Sequence, residues 1–183
     1  MTERSVSARA EERLAGFMAR FTPEIATLAR AALARLRAQV PGAVELVYDN
    51  YNALVVAFGP TEKTAEVILS IALYPRWVSL FFAWGAKLSD PGRLLEGEGS
   101  RVRRIRMDDA ATIDQPPVRR LIAQAVGMAS PPIDATRPRR TVVKMALPRV
   151  KARRPAAGAR RRTGVGPGKG RPRRAVARRT RSG

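Results

Sequence analysis

The chain has 183 residues and a formal net charge of +20, a length that suits one domain and an appendage. The charge is unevenly placed: residues 1–136 hold 17 Lys+Arg against 15 Asp+Glu, whereas residues 137–183 hold 18 Lys+Arg and no acid. Cysteine and histidine are both absent, which excludes disulfides, Cys- or His-ligated metals and Ser–His or Cys–His catalysis within this chain.

Residues 5–20 read as a helix. The next segment, "FTPEIATLARAALARLRAQVPG", carries clear helix punctuation. Thr22 suits the cap, Pro23 the first helical position and Glu24 the positive end of the helix dipole. Ile25, Leu28, Ala29, Ala32, Leu33, Leu36 and Val40 recur at helical spacing, which predicts a buried stripe. Arg30, Arg35 and Arg37 fall largely off that stripe and read as a solvated face. Pro41-Gly42 ends the helix.

Strands follow. "AVELVYD" (43–49) and "ALVVAFG" (53–59) are short, apolar and rich in β-branched or aromatic residues. "EVILSIALYPRWVSLFFAW" divides at Pro75 into two arms. An even turn there puts Leu69, Ile71, Leu73, Val78, Leu80 and Phe82 on one face. Ser70, Ala72, Tyr74, Trp77, Ser79 and Phe81 fall on the other. The first set is uniformly large and apolar, so it should face the helices; the second suits a more open face.

Phe81 to Met107 contains glycines, a lysine and an arginine burst, but not the G-x-x-x-x-G-K-[ST] spacing of a phosphate loop. It reads as a connection, with a turn at Asp90-Pro91-Gly92, a short helical piece at "GRLLEG" and a glycine return into the strand "RVRRIRM". "IDQPPVRRLIAQAVGM" then reads as a helix started by Pro116 and Pro117. The expected fold is α+β: an antiparallel sheet of about five strands, with N-terminal helices and one C-terminal helix on one face. The domain is placed at 1–129. Residues 130–183, with seven of the fourteen prolines and no aromatic residue, read as a disordered Arg/Pro/Ala/Gly-rich tail.

The order of motifs resembles the YdhG-like family, also called domain-of-unknown-function family 1801, over about Phe17 to Val126. The matching pieces are "RAQVPGAVELVYDNYNAL", "ALYPRWVSLFF" and "LLEGEGSRVRRIRMDDAATIDQPPVRRLIAQAV". The resemblance implies an α–β–α fold with an antiparallel sheet and supplies no established reaction. Some relatives are described as frataxin-like iron chaperones. That role needs hard oxygen ligands for iron, and here Glu3, Glu11, Glu12 and Glu24 are interleaved with arginines.

Two candidate ligand sites stand out. Tyr74 and Trp77, with Phe81, Tyr48 and Tyr51, can form an aromatic sheet face that stacks a flat ligand or bases. The plainer reading is a second small core or a dimer interface. Lys87, Arg101 and Arg103 with glycine amides can line an anion pocket, and the plain connection stands against it. Asp49 joins Tyr48 and Lys87 as the groups an enzyme would use, but no catalytic set, cofactor site or metal site emerges. The carboxylates Asp108, Asp109 and Asp114 read as salt-bridge partners of the neighbouring arginines.

The tail cations Lys151, Arg153, Arg154, Arg160, Arg161, Arg162, Lys169, Arg171, Arg173, Arg174, Arg178, Arg179 and Arg181 should attract polyanions. Nonspecific nucleic-acid association with strong salt dependence is the expected consequence. The start of the chain lacks the apolar core of a signal peptide, and no run reaches transmembrane length. A cytoplasmic, non-enzymatic binding domain with no membrane role is therefore expected, its partner a small ligand or a protein at the open sheet face. Its oligomeric state is left open, a homodimer included.

Overall fold

The computed structural model describes residues 3–146. Helix α1 spans Glu3–Met18 and α2 spans Pro23–Gln39. Thr22 caps α2 by accepting a hydrogen bond from the Ile25 amide at 3.4 Å, with Pro23 in the first turn. The strands are β1 (Val44–Asp49), β2 (Leu54–Gly59), β3 (Leu69–Leu73), β4 (Val78–Phe82), β5 (Arg103–Met107) and β6 (Arg140–Ala146). Helix α3, Pro116–Gly127, lies between β5 and β6 in the chain.

The class is α+β, as expected, but the sheet has six strands in the order β5-β4-β3-β2-β1-β6. Five strands form an antiparallel meander, and β6 pairs parallel to β1. The sheet is therefore mixed rather than purely antiparallel. Residues 140–146, expected within a disordered tail, are an integral strand. The reason lies in local composition: Thr141, Val142, Val143 and Met145 suit an edge strand despite a bulge at Lys144, and the flanking arginines hid that signal. The folded domain thus extends past 129 to at least Ala146; the expected disorder of the remaining tail, residues 147–183, lies outside the described residues.

The hairpin at Pro75 has the predicted even turn. Leu73 pairs with Val78, and the Tyr74 amide donates to the Trp77 carbonyl at 2.9 Å. Leu69, Ile71, Leu73, Val78, Leu80 and Phe82 are all buried in the core with Leu33 and Leu36 of α2 and Leu121 and Ile122 of α3. Burying such a side chain contributes about 1.5–3 kcal/mol relative to exposure, so this face fixes the register of the hairpin.

Arg37 departs from the predicted solvated face. It donates to Glu45 at 2.8 and 2.6 Å and to Glu11 at 2.8 and 3.1 Å. Glu45 is fully buried. Thr141 of β6 donates its hydroxyl to Glu11 at 2.6 Å, and Arg139 lies 3.4 Å from Glu11 and 3.6 Å from Glu45. One ionic knot therefore joins α1, α2, β1 and β6. Burial opposes the charge on Glu11, but the Thr141 hydroxyl, Arg37 and Arg139 together hold its pKa below the usual carboxylate value. Burial likewise opposes charge on Arg37, yet Glu45 and Glu11 push its pKa up. Arg35 also has a partner, pairing with Asp114.

The 85–103 connection holds no helix at "GRLLEG". Its helical turn is instead a 3₁₀ piece at Gly85–Lys87, while Glu96 pairs with Arg104 through both backbone hydrogen bonds, 2.8 and 3.0 Å. Leu94 and Leu95 pack against the core individually. The stretch therefore meets the outer edge of β5 at one point and satisfies the backbone groups of Arg104 there.

Candidate functional site

The face of the sheet opposite the helices carries the site. Strand alternation assigns it Leu46 and Tyr48 from β1, Val55 and Ala57 from β2, Ser70 and Ala72 from β3, Ser79 and Phe81 from β4 and Arg104 and Arg106 from β5. The connection from β2 to β3 folds across part of this face. Tyr48 and Thr64 share a hydroxyl–hydroxyl hydrogen bond of 2.8 Å, and Glu62 pairs with Arg140 at 2.6 Å and Lys144 at 3.1 Å. Within the connection the Thr61 hydroxyl and Lys63 hold Glu66 below its usual pKa. This cover accounts for the burial of Leu46 and Ala57, which lie outside the helix-side core.

What stays uncovered is a groove of about 290 Å³ over β2, β3 and β4, lined by Val55, Val67, Leu69, Ser70, Ala72, Tyr74, Phe81, Ala83 and Val102. The small residues Ser70, Ala72 and Ala83 create the depth. Val67 comes from the connection before β3 and Val102 from the one before β5, so two loops supply walls to a floor of strands. Tyr74 stacks on Trp77 with ring centroids 5.0 Å apart. The Arg106 guanidinium lies 5.5 Å from the Trp77 ring centre. Beside Ala72, on the neighbouring strand, Ser79 is fully buried, and its hydroxyl has no hydrogen-bond partner among the described residues.

The predicted site residues therefore separate into three groups. Tyr74 and Phe81 line the groove, and Trp77 stacks on Tyr74 beside it. Tyr48 lies on the same face but is tied to Thr64 beneath the connection, and Tyr51 projects into solvent, 85% exposed, from the β1–β2 turn. Asp49 does not join them. It is buried on the helix side, where Arg20 donates to it at 2.7 Å. Its parity with Val47 puts it on the core face, so it is not a ligand-binding group of the open face.

The proposed anion pocket is also rearranged. Lys87 and Arg101 do converge, over the Trp84 ring at 4.7 and 3.7 Å from its centre. Arg103 does not point to the same place. Its guanidinium donates to the carbonyls of Gly99 and Val102, and its side chain packs where a Cβ on Gly85 would stand. Gly97 adopts φ 120°, the left-handed region that favours glycine. The glycines thus serve the return of the chain, not a cradle of amides. The acids are paired as expected only in part: Arg106 lies 3.8 Å from Asp108, but Asp109 accepts from the Ala111 amide and Asp114 reaches Arg35.

Val67 and Val102 were missed as groove walls because both lie in connections whose path no periodic pattern describes. The one available signal was an isolated valine between Arg101 and Arg103, which is 49% exposed.

Among the described residues, no helix is long and apolar enough to cross a membrane, and no group of three or more acidic side chains is placed to hold a metal ion. No family model matches the chain, and no curated protein or solved structure matches it either.

Proposed function

We propose that this chain is a non-enzymatic, YdhG-like binding domain that works in the cytoplasm, holds a small ligand or partner in its open-face groove and is tethered to nucleic acid by its cationic C-terminal segment. The observation that carries the reading is the contrast between charges inside and outside the fold. Arg137, Arg139, Arg140 and Lys144 all pair with acids of the domain: Asp134, Glu11 and Glu45, and Glu62. The 14 Lys+Arg of residues 147–183 have no acid in their own segment. Such a segment favours association with phosphate backbones through counterion release. The groove supports the binding role, because it is a concave, mostly apolar recess with few polar groups.

The test replaces those 14 cations by Gln in the full chain. Affinity for an arbitrary duplex DNA is then measured across salt concentrations. The native chain should bind with a steep salt dependence, and the replaced chain should lose nearly all affinity. Equal affinity in the two chains would overturn the tether.

A further inference from the structure

We propose that the groove and the cationic segment serve one ligand, a single-stranded nucleic acid, with an unpaired base seated in the groove beside Tyr74 and Phe81. The inference rests on the tether reading and assigns the groove its occupant.

The topology carries the first step. Because β6 runs parallel to β1, Ala146 lies opposite Asp49. Asp49 pairs with Leu54, Leu54 with Leu73, and Leu73 with Val78. Strand β6 therefore ends on the side of the sheet that holds the Tyr74–Trp77 stack. Three strand spacings separate β6 from β3, about 14 Å. Ala146, the last described residue before the cationic sequence, thus ends the strand about that far from the aromatic end.

The chemistry of the groove carries the second step. Its volume of about 290 Å³ admits a flat heterocycle. Tyr74 and Phe81 are half-buried, so ring surface remains available beside a floor of small residues. Ser70 offers a hydroxyl in the groove; Ser79, on the next strand and outside the groove lining, holds a buried hydroxyl without a partner among the described residues. Arg104 and Arg106 stand on the same face of β5 but are paired with Glu96 at 3.3 Å and Asp108 at 3.8 Å, so phosphate contacts fall to the cationic segment. A duplex hides its base faces in the stack, whereas a single strand presents them to aromatic side chains. The cationic segment itself has no aromatic residue, so any preference for single strands must come from the folded domain.

The experiment uses the full chain and three probes: a uridine oligomer, a thymidine oligomer and a duplex of the same length, compared by fluorescence anisotropy at one salt concentration. The native chain should favour at least one single strand over the duplex by about tenfold, the scale of one stacked base. Tyr74→Ala should remove that preference and leave duplex affinity unchanged. Val102→Glu provides a second variant that does not threaten folding, because Val102 is half-exposed on the groove wall; it should have the same effect at an unchanged melting temperature. Equal affinity of the native chain for single strand and duplex would overturn the inference, as would a preference that survives both substitutions. Those results leave the tether intact if the 14-Gln chain has lost its duplex binding, so the two proposals fail separately.

Discussion

Replacing Arg37 with methionine is the sharpest test of how the domain is held together. Methionine keeps much of the aliphatic bulk but removes the guanidinium that bonds Glu45 at 2.6 and 2.8 Å. Glu45 is fully buried, so its carboxylate would keep only Arg139 at 3.6 Å and the Thr141 hydroxyl at 3.3 Å. Breaking a buried ion pair from one side costs about 3–5 kcal/mol, because the remaining charge is stranded away from water. For a domain of this size that corresponds to a fall in melting temperature on the order of 10 °C. Thermal and urea denaturation of the full chain would measure it. The double variant Arg37→Met, Glu45→Gln should recover a large part of the loss, since no unpaired buried charge remains. The pH dependence has a defined sign. The pKa of Glu11 is depressed in the fold, in part by Arg37, so its contribution is present above the unfolded value of 4.5 and disappears as pH falls through the lower folded value. Arg37→Met should flatten that acid limb. A single variant within about 1 kcal/mol of the native chain would refute the reasoning, since that is the range of an exposed pair.

Two further perturbations follow from the same contacts. Ending the chain after Ala146 should leave the melting temperature unchanged, whereas ending it after Ala129 removes β6, strips β1 of a neighbour and takes Arg139 and Thr141 from the knot; paired melting curves should differ by on the order of 10 °C or more. Gly85→Ala would drive a Cβ into the side chain and backbone nitrogen of Arg103, and overpacking of this kind costs about 1–3 kcal/mol in denaturant titration.

The β3–β4 hairpin was legible because large apolar residues occupy every second position in both arms, and only an even turn keeps them together. β1 was not legible in the same way. Its core face reads Glu45, Val47, Asp49, two of them acids, while the opposite face reads Val44, Leu46, Tyr48. Apolar patterning alone would assign the faces the other way. The acids are tolerated inside because Arg37 and Arg20 reach them from the helical layer, and those partners lie 8 and 29 residues away in sequence. Arg37 misled for the same reason: its burial depends on a carboxylate on another element, not on its place along the helical stripe. The anion pocket failed for lack of geometry, since Arg103 faces backbone carbonyls that no motif predicts. β6 was hidden by charge, its five apolar or hydroxyl positions lying among Arg139, Arg140 and Lys144.

The knot also bears on where β6 ends. Thr141 is fully buried beside Glu45, and its amide donates to the Ser7 hydroxyl at 3.1 Å. A slip of β6 by one residue would turn Thr141 to the open face and bring Val142 against the two acids. The ionic contacts therefore select the register as well as stabilising the strand. The parallel direction matters as much. An antiparallel β6 would end beside Val44 of β1, near the β2–β3 connection and away from Tyr74 and Trp77. A parallel edge strand forces a long crossover from β5, and residues 108–139, with α3 among them, provide it. By this route the helical layer that closes the core also determines that β6 ends on the side of the sheet where Tyr74 and Trp77 stack.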